Sequence, residues 1–288
     1  MIKKVSIPIL LIVLLAACRA KNTDTNKDSL NKPSVITAKS KAAETRKLIN
    51  EFKPMFAGSW LNKDYIDEIK RTKSAQQSYG KVGEITDFQI DTSNIKSDSL
   101  LVDYNSGFHE VFRFIIKFHS GDSKNSITAY DPVDYIERKF YKLKLGETSK
   151  LLTIYTYDKQ NKLIDSTHFF KILNADYQGA DLDKLIINKT LISGNYIMVD
   201  SLKNGFKVSF TNEGKVTGLN DFKTYEVLTD YMTPPNNLDQ IGFDLDKIRK
   251  WYGFKINADT LNIFETKAAP DSVDLEFAKL KYKLVKQK

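Results

Sequence analysis

The stretch FRFIIKF, residues 112–118, indicates the fold class most directly. Phe112, Phe114 and Phe118 share one parity along the chain, whereas Arg113 and Lys117 take the other. This alternation is typical of a β-strand with one buried face, because successive side chains point to opposite faces of a sheet. We therefore expect residues 112–118 to form a strand whose phenylalanines face a core.

Further segments carry the same period and come in pairs. Three pairs flank a short polar turn and predict β-hairpins: 151–157 with 163–172, 206–210 with 216–219, and 252–256 with 261–265. The lysine-rich tail, residues 279–286, also alternates, so we interpret it as a half-buried strand rather than as a basic patch for nucleic acid. Many short strands with local turns predict a mainly β protein of antiparallel up-and-down hairpins. A few short helices are predicted from about Ala42 to Pro54, from Asp64 as N-cap to Ser74, and over 181–189 and 244–251.

The two halves of the sequence resemble each other. Each has a short helical segment (44–52 and 181–189), then glycine, a polar residue and an aromatic residue, then hairpins. The two trios are Gly58-Ser59-Trp60 and Gly194-Asn195-Tyr196. The first resembles the Gly-x-Trp signature that opens the first strand of lipocalins and related calycin barrels, and the second resembles it more loosely.

This resemblance implies two tandem lipocalin-like barrels or half-barrels, over residues 44–178 and 179–288, with a single larger sandwich as the alternative. In lipocalins a basic side chain from the last strands covers the tryptophan, and Arg113 and Arg138 are the candidates here. The helix at 64–72 is nearer to the lid of intracellular fatty-acid-binding barrels. Such barrels enclose a cavity, and we expect six aromatic side chains to line it: Trp60, Phe112, Phe114, Phe118, Tyr141 and Tyr155.

The N-terminus carries a separate signal. Lys3 and Lys4 precede an apolar run, residues 7–15, which ends in Leu15-Ala16-Ala17-Cys18. The run is shorter than the about 20 residues that a membrane-spanning helix needs, and the pattern resembles the lipobox of bacterial lipoprotein signal peptides. The resemblance implies that residues 1–17 are removed and that Cys18 carries acyl chains. Because Arg19 stands where an Asp would signal inner-membrane retention, we expect an outer-membrane, periplasm-facing lipoprotein. Residues 18–43 contain few large apolar side chains and are predicted to be a disordered tether.

Several kinds of chemistry are excluded or disfavoured. Cys18 is the only cysteine, so cysteine nucleophiles, CxxC redox centres and cysteine-rich zinc sites are excluded. His109, His119 and His168 are the only histidines, and none belongs to an HExxH motif. No nucleophile elbow, Walker loop or dinucleotide-binding turn occurs in the sequence. We therefore predict no cofactor, no metal and no nameable catalytic residue.

These observations favour a non-enzymatic binding module anchored to the membrane through Cys18. The net charge of +8 falls to +6 when Lys3 and Lys4 leave with the signal, which is weak support for any polyanion, and we expect no nucleic-acid partner. The leading hypothesis is a small apolar ligand in a barrel. The alternative is an interaction, immunity or assembly protein of the cell envelope, because residues 231–237, within the segment 225–243, predict a long loop with exposed aromatic and proline residues. A hydrolase is the least favoured hypothesis.

Overall fold

The computed structural model describes residues 38–120, 126–130, 140–148, 150–172, 182–199, 204–219, 222–244, 249–270 and 273–287. The architecture is mainly β, as predicted, and residues 38–288 form one unit. A closed antiparallel barrel is followed by a second eight-stranded antiparallel sheet. The predicted signal peptide and the predicted boundary between residues 178 and 179 lie outside the described residues.

Within the described residues, four α-helices accompany the strands: α1 (Ala38–Phe56), α2 (Lys63–Thr72), α3 (Ala75–Ser78) and α4 (Leu182–Leu191). Helix α1 begins within the predicted tether and continues past Pro54, contrary to prediction. Phe52 and Phe56 lie one turn apart on its buried face, so burial of both favours continuing the helix despite the proline. Helix α2 is capped by Asn62 and not by Asp64, because the Asn62 Oδ1 accepts a hydrogen bond from the Tyr65 N–H at 3.0 Å.

The barrel contains eight strands in sequence order, each antiparallel to its neighbours: β1 (Gly58–Asn62), β2 (Asp87–Ile90), β3 (Ser99–Ser106), β4 (Glu110–Ser120), β5 (Ser126–Tyr130), β6 (Phe140–Leu145), β7 (Leu151–Tyr157) and β8 (Leu163–Ile172). Strand β8 pairs back onto β1 and closes the barrel. The predicted strand at 112–118 lies within β4, and the predicted hairpin 151–172 is β7–β8.

The second sheet also has eight strands: β9 (Gly194–Val199), β10 (Asn204–Phe210), β11 (Val216–Thr217), β12 (Tyr225–Val227), β13 (Gln240–Phe243), β14 (Lys250–Asn257), β15 (Thr260–Ala268) and β16 (Leu275–Lys286). Its strand order is β11-β10-β9-β16-β15-β14-β13-β12, so β16 pairs with β9 in the middle of the sheet and β11 and β12 form its two edges. An isolated bridge, Lys215 to Thr224, joins these two edges. The prediction of a helix over 244–251 is wrong at its end, because Lys250 and Trp251 begin β14. Residues 245–248 of this prediction lie outside the described residues.

Each sheet encloses its own core. The first core fills the barrel and includes Phe52 and Phe56 of α1. The second core lies inside the second sheet and includes Tyr65, Ile66 and Ile69 from the buried face of α2. Helix α2 therefore completes the core of the following half, and it does not act as a lid on its own barrel. Within the described residues, no helix combines the length and apolar character needed to cross a membrane.

Candidate functional site

The six predicted lining residues separate into two groups. Trp60, Phe114, Phe118 and Tyr141 point inward and are at most 2% exposed. They belong to one buried cluster with residues from all eight strands and α1, in which aromatic rings touch, as Phe114 touches Tyr141 at 5.9 Å between centroids. The inward side chains of the first barrel therefore pack against one another and against α1.

The other two predicted lining residues do not lie in the interior. Tyr155 is on the outer face of β7, because Leu152 and Ile154 take the inward parity. Apolar residues occur on both faces of β7, so its sequence does not indicate which face points into the barrel. Phe112 has the parity of Phe114 but is 40% exposed, and its ring packs against Tyr104 on the neighbouring strand β3.

The signature residue Trp60 is covered by Lys171, and the predicted candidate Arg113 lies elsewhere. The Lys171 Nζ lies 5.7 Å from the centroid of the Trp60 ring and donates a hydrogen bond to the Met55 carbonyl at 2.9 Å. Lys171 stands opposite Trp60 in the pairing of β8 with β1, and burial lowers the pKa of its ammonium group. Arg113 instead pairs with Asp103 at 2.9 Å, and Arg138 lies outside the described residues.

The second half repeats this arrangement. The Lys286 Nζ lies 5.7 Å from the centroid of Tyr196 and donates to the Ser193 carbonyl at 2.8 Å, and Lys286 stands opposite Tyr196 in the pairing of β16 with β9. The Tyr196 hydroxyl donates to the Ile192 carbonyl at 2.6 Å. In the first half, the Trp60 Nε1 donates to the carbonyl four residues earlier in the same way, at 2.9 Å. The internal resemblance read from the sequence is therefore a structural repeat of two eight-stranded units.

A crevice of about 360 Å³ opens where the two halves meet. It is bounded by the β3–β4 hairpin, by the 3-10 helix Tyr79–Lys81 with the residues that follow it, and by the loop after β12. The Tyr79 hydroxyl donates to the Gly107 carbonyl at 3.1 Å, and its ring packs edge-on against Tyr231 of the loop. We call this site the junction crevice; its lining residues are Tyr79, Val82, Gly83, Ser106, Gly107, His109, Glu110, Met232 and Thr233.

The junction crevice holds an oriented imidazole. The His109 Nδ1 lies 2.7 Å from Asp230 Oδ2, although the two residues are 121 positions apart in sequence. The hydrogen bond and the charge of Asp230 raise the pKa of His109. With Nδ1 engaged by a carboxylate, Nε2 remains available to a ligand. The crevice can therefore offer one polar, partly cationic contact beside the apolar surfaces of Val82 and Met232.

The other two histidines lie apart from this site. His119 is 3.2 Å from Asp98 on the barrel surface, and His168 is 3.0 Å from Asp64 at the start of α2. Within the described ranges, no group of three or more His, Cys, Asp or Glu side chains is arranged to hold a metal ion.

Sequence reasoning missed most of the junction crevice. Its polar contact joins β4 to a loop of the other half, and no local pattern reports such a pairing. The predicted loop at 231–237 lies between β12 and β13, and its two prolines, Pro234 and Pro235, are exposed as expected. Its aromatic residue Tyr231 is buried, contrary to prediction, whereas Met232 is 60% exposed.

Comparison of the chain with protein-family models, with curated proteins and with solved structures finds no significant match.

Proposed function

We propose that the chain is a lipid-anchored, non-enzymatic binding protein of the cell envelope and that it holds a small ligand in the junction crevice. The ligand is largely apolar and carries a hydrogen-bond acceptor at one end. The single observation behind this proposal is the His109–Asp230 pair at 2.7 Å beside the apolar side chains of Val82 and Met232. A volume of about 360 Å³ suits such a ligand, since small-molecule sites occupy about 300–1,000 Å³ and combine apolar walls with a few polar groups.

The packing of the barrel favours the junction crevice over the interior. A ligand inside the first barrel would have to displace rings such as Phe114 and Phe118, which are at most 2% exposed and belong to the same packed core. Removing such contacts costs several kcal/mol per large side chain, about 3–5 for a phenylalanine. The crevice is open at the surface and needs no such displacement.

The membrane anchor in this proposal rests on the lipobox-like sequence ending at Cys18. Attachment through several acyl chains would hold the protein at the outer membrane, facing the periplasm. The test is the mass of the mature N-terminus together with fractionation of a Cys18→Ser variant. We expect acylated Cys18 in the wild-type protein and release of the variant from membranes; a variant that stays with the membrane would contradict the anchor.

The ligand proposal is tested by native mass spectrometry of protein purified from its own host. We expect a co-purified small apolar molecule with the wild-type chain. Thr233→Trp, which places a ring in the crevice, removes this molecule, and His109→Leu weakens its retention. Phe118→Leu, a change inside the barrel, is the control and leaves it bound. Recovery of no ligand, or loss of ligand only in Phe118→Leu, would refute the crevice as its site.

A second candidate function is binding of another envelope protein. Met232, which lines the crevice, is 60% exposed, and Val111 and Phe112, which follow the crevice residue Glu110 along β4, are 67% and 40% exposed. Contiguous exposed apolar side chains are typical of interaction surfaces. A photo-crosslinker at position 111 is expected to capture one reproducible partner, and Met232→Lys to reduce that capture; the absence of a reproducible partner would count against this function.

A further inference from the structure

The structural repeat defines two equivalent grooves on the outer faces of the two sheets. Outer groove 1 lies over β1, β2 and β3, and outer groove 2 lies over β9, β10 and β11. The registers match: Trp60 pairs with Phe88 as Tyr196 pairs with Val208. The two grooves therefore occupy corresponding places, and differences between them reflect side chains rather than location.

Two carboxylates of outer groove 1, those of Asp87 and Asp103, have side-chain partners. The Asn105 Nδ2 donates to Asp87 Oδ1 at 2.8 Å, and Arg113 pairs with Asp103 at 2.9 Å. Leu182 and Asp183, from the first turn of α4, also line the groove. Its volume is about 260 Å³.

Outer groove 2 is larger, at about 520 Å³, and the Gln287 amide that lines it donates to the Val285 carbonyl at 3.2 Å. Asn195, Ser209 and Thr217 stand directly opposite one another on three adjacent strands, so they form one row with about 4.8 Å between neighbours. Among the described residues, none of these three side chains makes a hydrogen bond, and Lys207 on the same face makes no ion pair. Gln287 closes one end, with its backbone N–H donating to the Asn195 carbonyl at 2.8 Å.

We propose that outer groove 2 is a second binding site, separate from the junction crevice, and that it takes an acidic saccharide. Hydroxyl and amide side chains both donate and accept hydrogen bonds, so a row of them matches the hydroxyls of a sugar. Lys207 supplies a positive charge that no carboxylate of the described chain neutralises, which favours a carboxylate on the ligand. Ile197, opposite Lys207 in the pairing of β9 with β10, supplies apolar surface for the C–H face of a sugar ring.

The contrast between the grooves supports this assignment. The same place in the first half carries the carboxylates of Asp87 and Asp103, and it is partly filled by α4. An anionic ligand would be repelled there, and the space left is about half that of outer groove 2. The two units of the repeat therefore differ in charge and access at equivalent places, and only outer groove 2 suits an anion.

The test is a titration of the full chain with a disaccharide that contains one uronic acid, followed by amide chemical shifts and calorimetry. We expect shift changes confined to β9, β10 and β11. Lys207→Gln weakens binding by about tenfold, the loss of one charge-assisted hydrogen bond. Ser209→Ala with Thr217→Val weakens it further. Lys255→Gln, an exposed lysine on β14 of the same sheet, is the matched control and leaves affinity unchanged.

Three outcomes would overturn the proposal. The first is the absence of binding at millimolar saccharide, and the second is an equal loss of affinity in Lys207→Gln and Lys255→Gln. The third is that inorganic phosphate binds as tightly as the disaccharide, which would reduce the site to a general anion site. Because His109 and Thr233 lie outside outer groove 2, their variants keep saccharide binding, and failure of the crevice proposal would leave this one intact.

Discussion

Replacing Gly194 by alanine should disrupt the contact between Tyr196 and Lys286. The φ angle of Gly194 is +144°, a conformation that residues with a Cβ rarely adopt. A Cβ on this glycine would also lie 2.6 Å from Lys286 Cε. The lysine would therefore have to leave the face of the tyrosine ring and the Ser193 carbonyl.

The expected loss of stability follows from these contacts. A side chain held in a backbone conformation of this kind costs about 1–3 kcal/mol. Displacing Lys286 removes a cation–π contact of about 0.5–1 kcal/mol and a charged hydrogen bond of about 1.5–3 kcal/mol, part of which water restores at this exposed site. We expect Gly194→Ala to lower the free energy of unfolding by about 2–4 kcal/mol, or the melting temperature by roughly 4–16 °C.

The same change in the first half should have a smaller effect. Gly58 has a φ of +119°, and its added Cβ would lie 3.0 Å from Lys171 Cε, so a shift of a few tenths of an ångström relieves the contact. We expect a loss of about 1–3 kcal/mol, mostly from the backbone. Gly80→Ala is the control, because nothing lies within 4 Å of its added Cβ, and it should be neutral or slightly stabilising.

Urea unfolding followed by tryptophan fluorescence and circular dichroism measures these differences. A double-mutant cycle of Gly194→Ala with Lys286→Ala isolates the steric part, since the glycine substitution should cost less once the lysine is gone. If Gly194→Ala is as stable as Gly80→Ala to within about 0.5 kcal/mol, the glycine does not make room for the lysine and our explanation of the repeat is wrong.

Two further changes test the site and its support. Asn62→Ala removes the cap of α2, and it also removes the amide that donates to the Val82 carbonyl at 2.7 Å. We therefore expect the free energy of unfolding in urea to fall by about 2–4 kcal/mol. Asn62→Asp keeps the cap, so its loss should be smaller. The pKa of His109 is raised above its usual 6.5, so its pair with Asp230 stabilises the fold fully below that pH and progressively less as the pH rises through the raised value. His109→Ala should therefore lower the melting temperature more at about pH 5.5 than at pH 9, and an equal effect at both would contradict the pairing.

Local patterns in the sequence were sufficient for many of the strands, but not for β2, β3, β5, β12 and β13. Alternation in FRFIIKF and in the C-terminal tail predicted β4 and β16 correctly, because a half-buried strand needs side chains of different character on its two faces. The helix predicted over 244–251 is wrong at its end, because Lys250 and Trp251 belong to β14 and pair with β13. Trp251 there packs over Gly242, and no residue nearby in sequence indicates this contact.

The candidate sites depend on contacts that sequence does not encode locally. Lys171 lies 111 residues after Trp60, whereas Lys286 lies 90 residues after Tyr196, so the two lysines share no spacing that would mark them. Their role appears only when the last strand of each unit pairs with the first. The row Asn195, Ser209 and Thr217 likewise depends on the register of three strands, and hydroxyl and amide residues are too common to indicate it alone.

The insertion of α2 into the second core has a consequence for biogenesis. The strands of the barrel can all pair before the later half has folded. The apolar face of α2, with Ile66 and Ile69, then stays exposed to solvent until the second sheet covers it. Such a species is prone to aggregate, and two molecules at this stage can exchange halves. We therefore expect that neither half is stable as an isolated fragment.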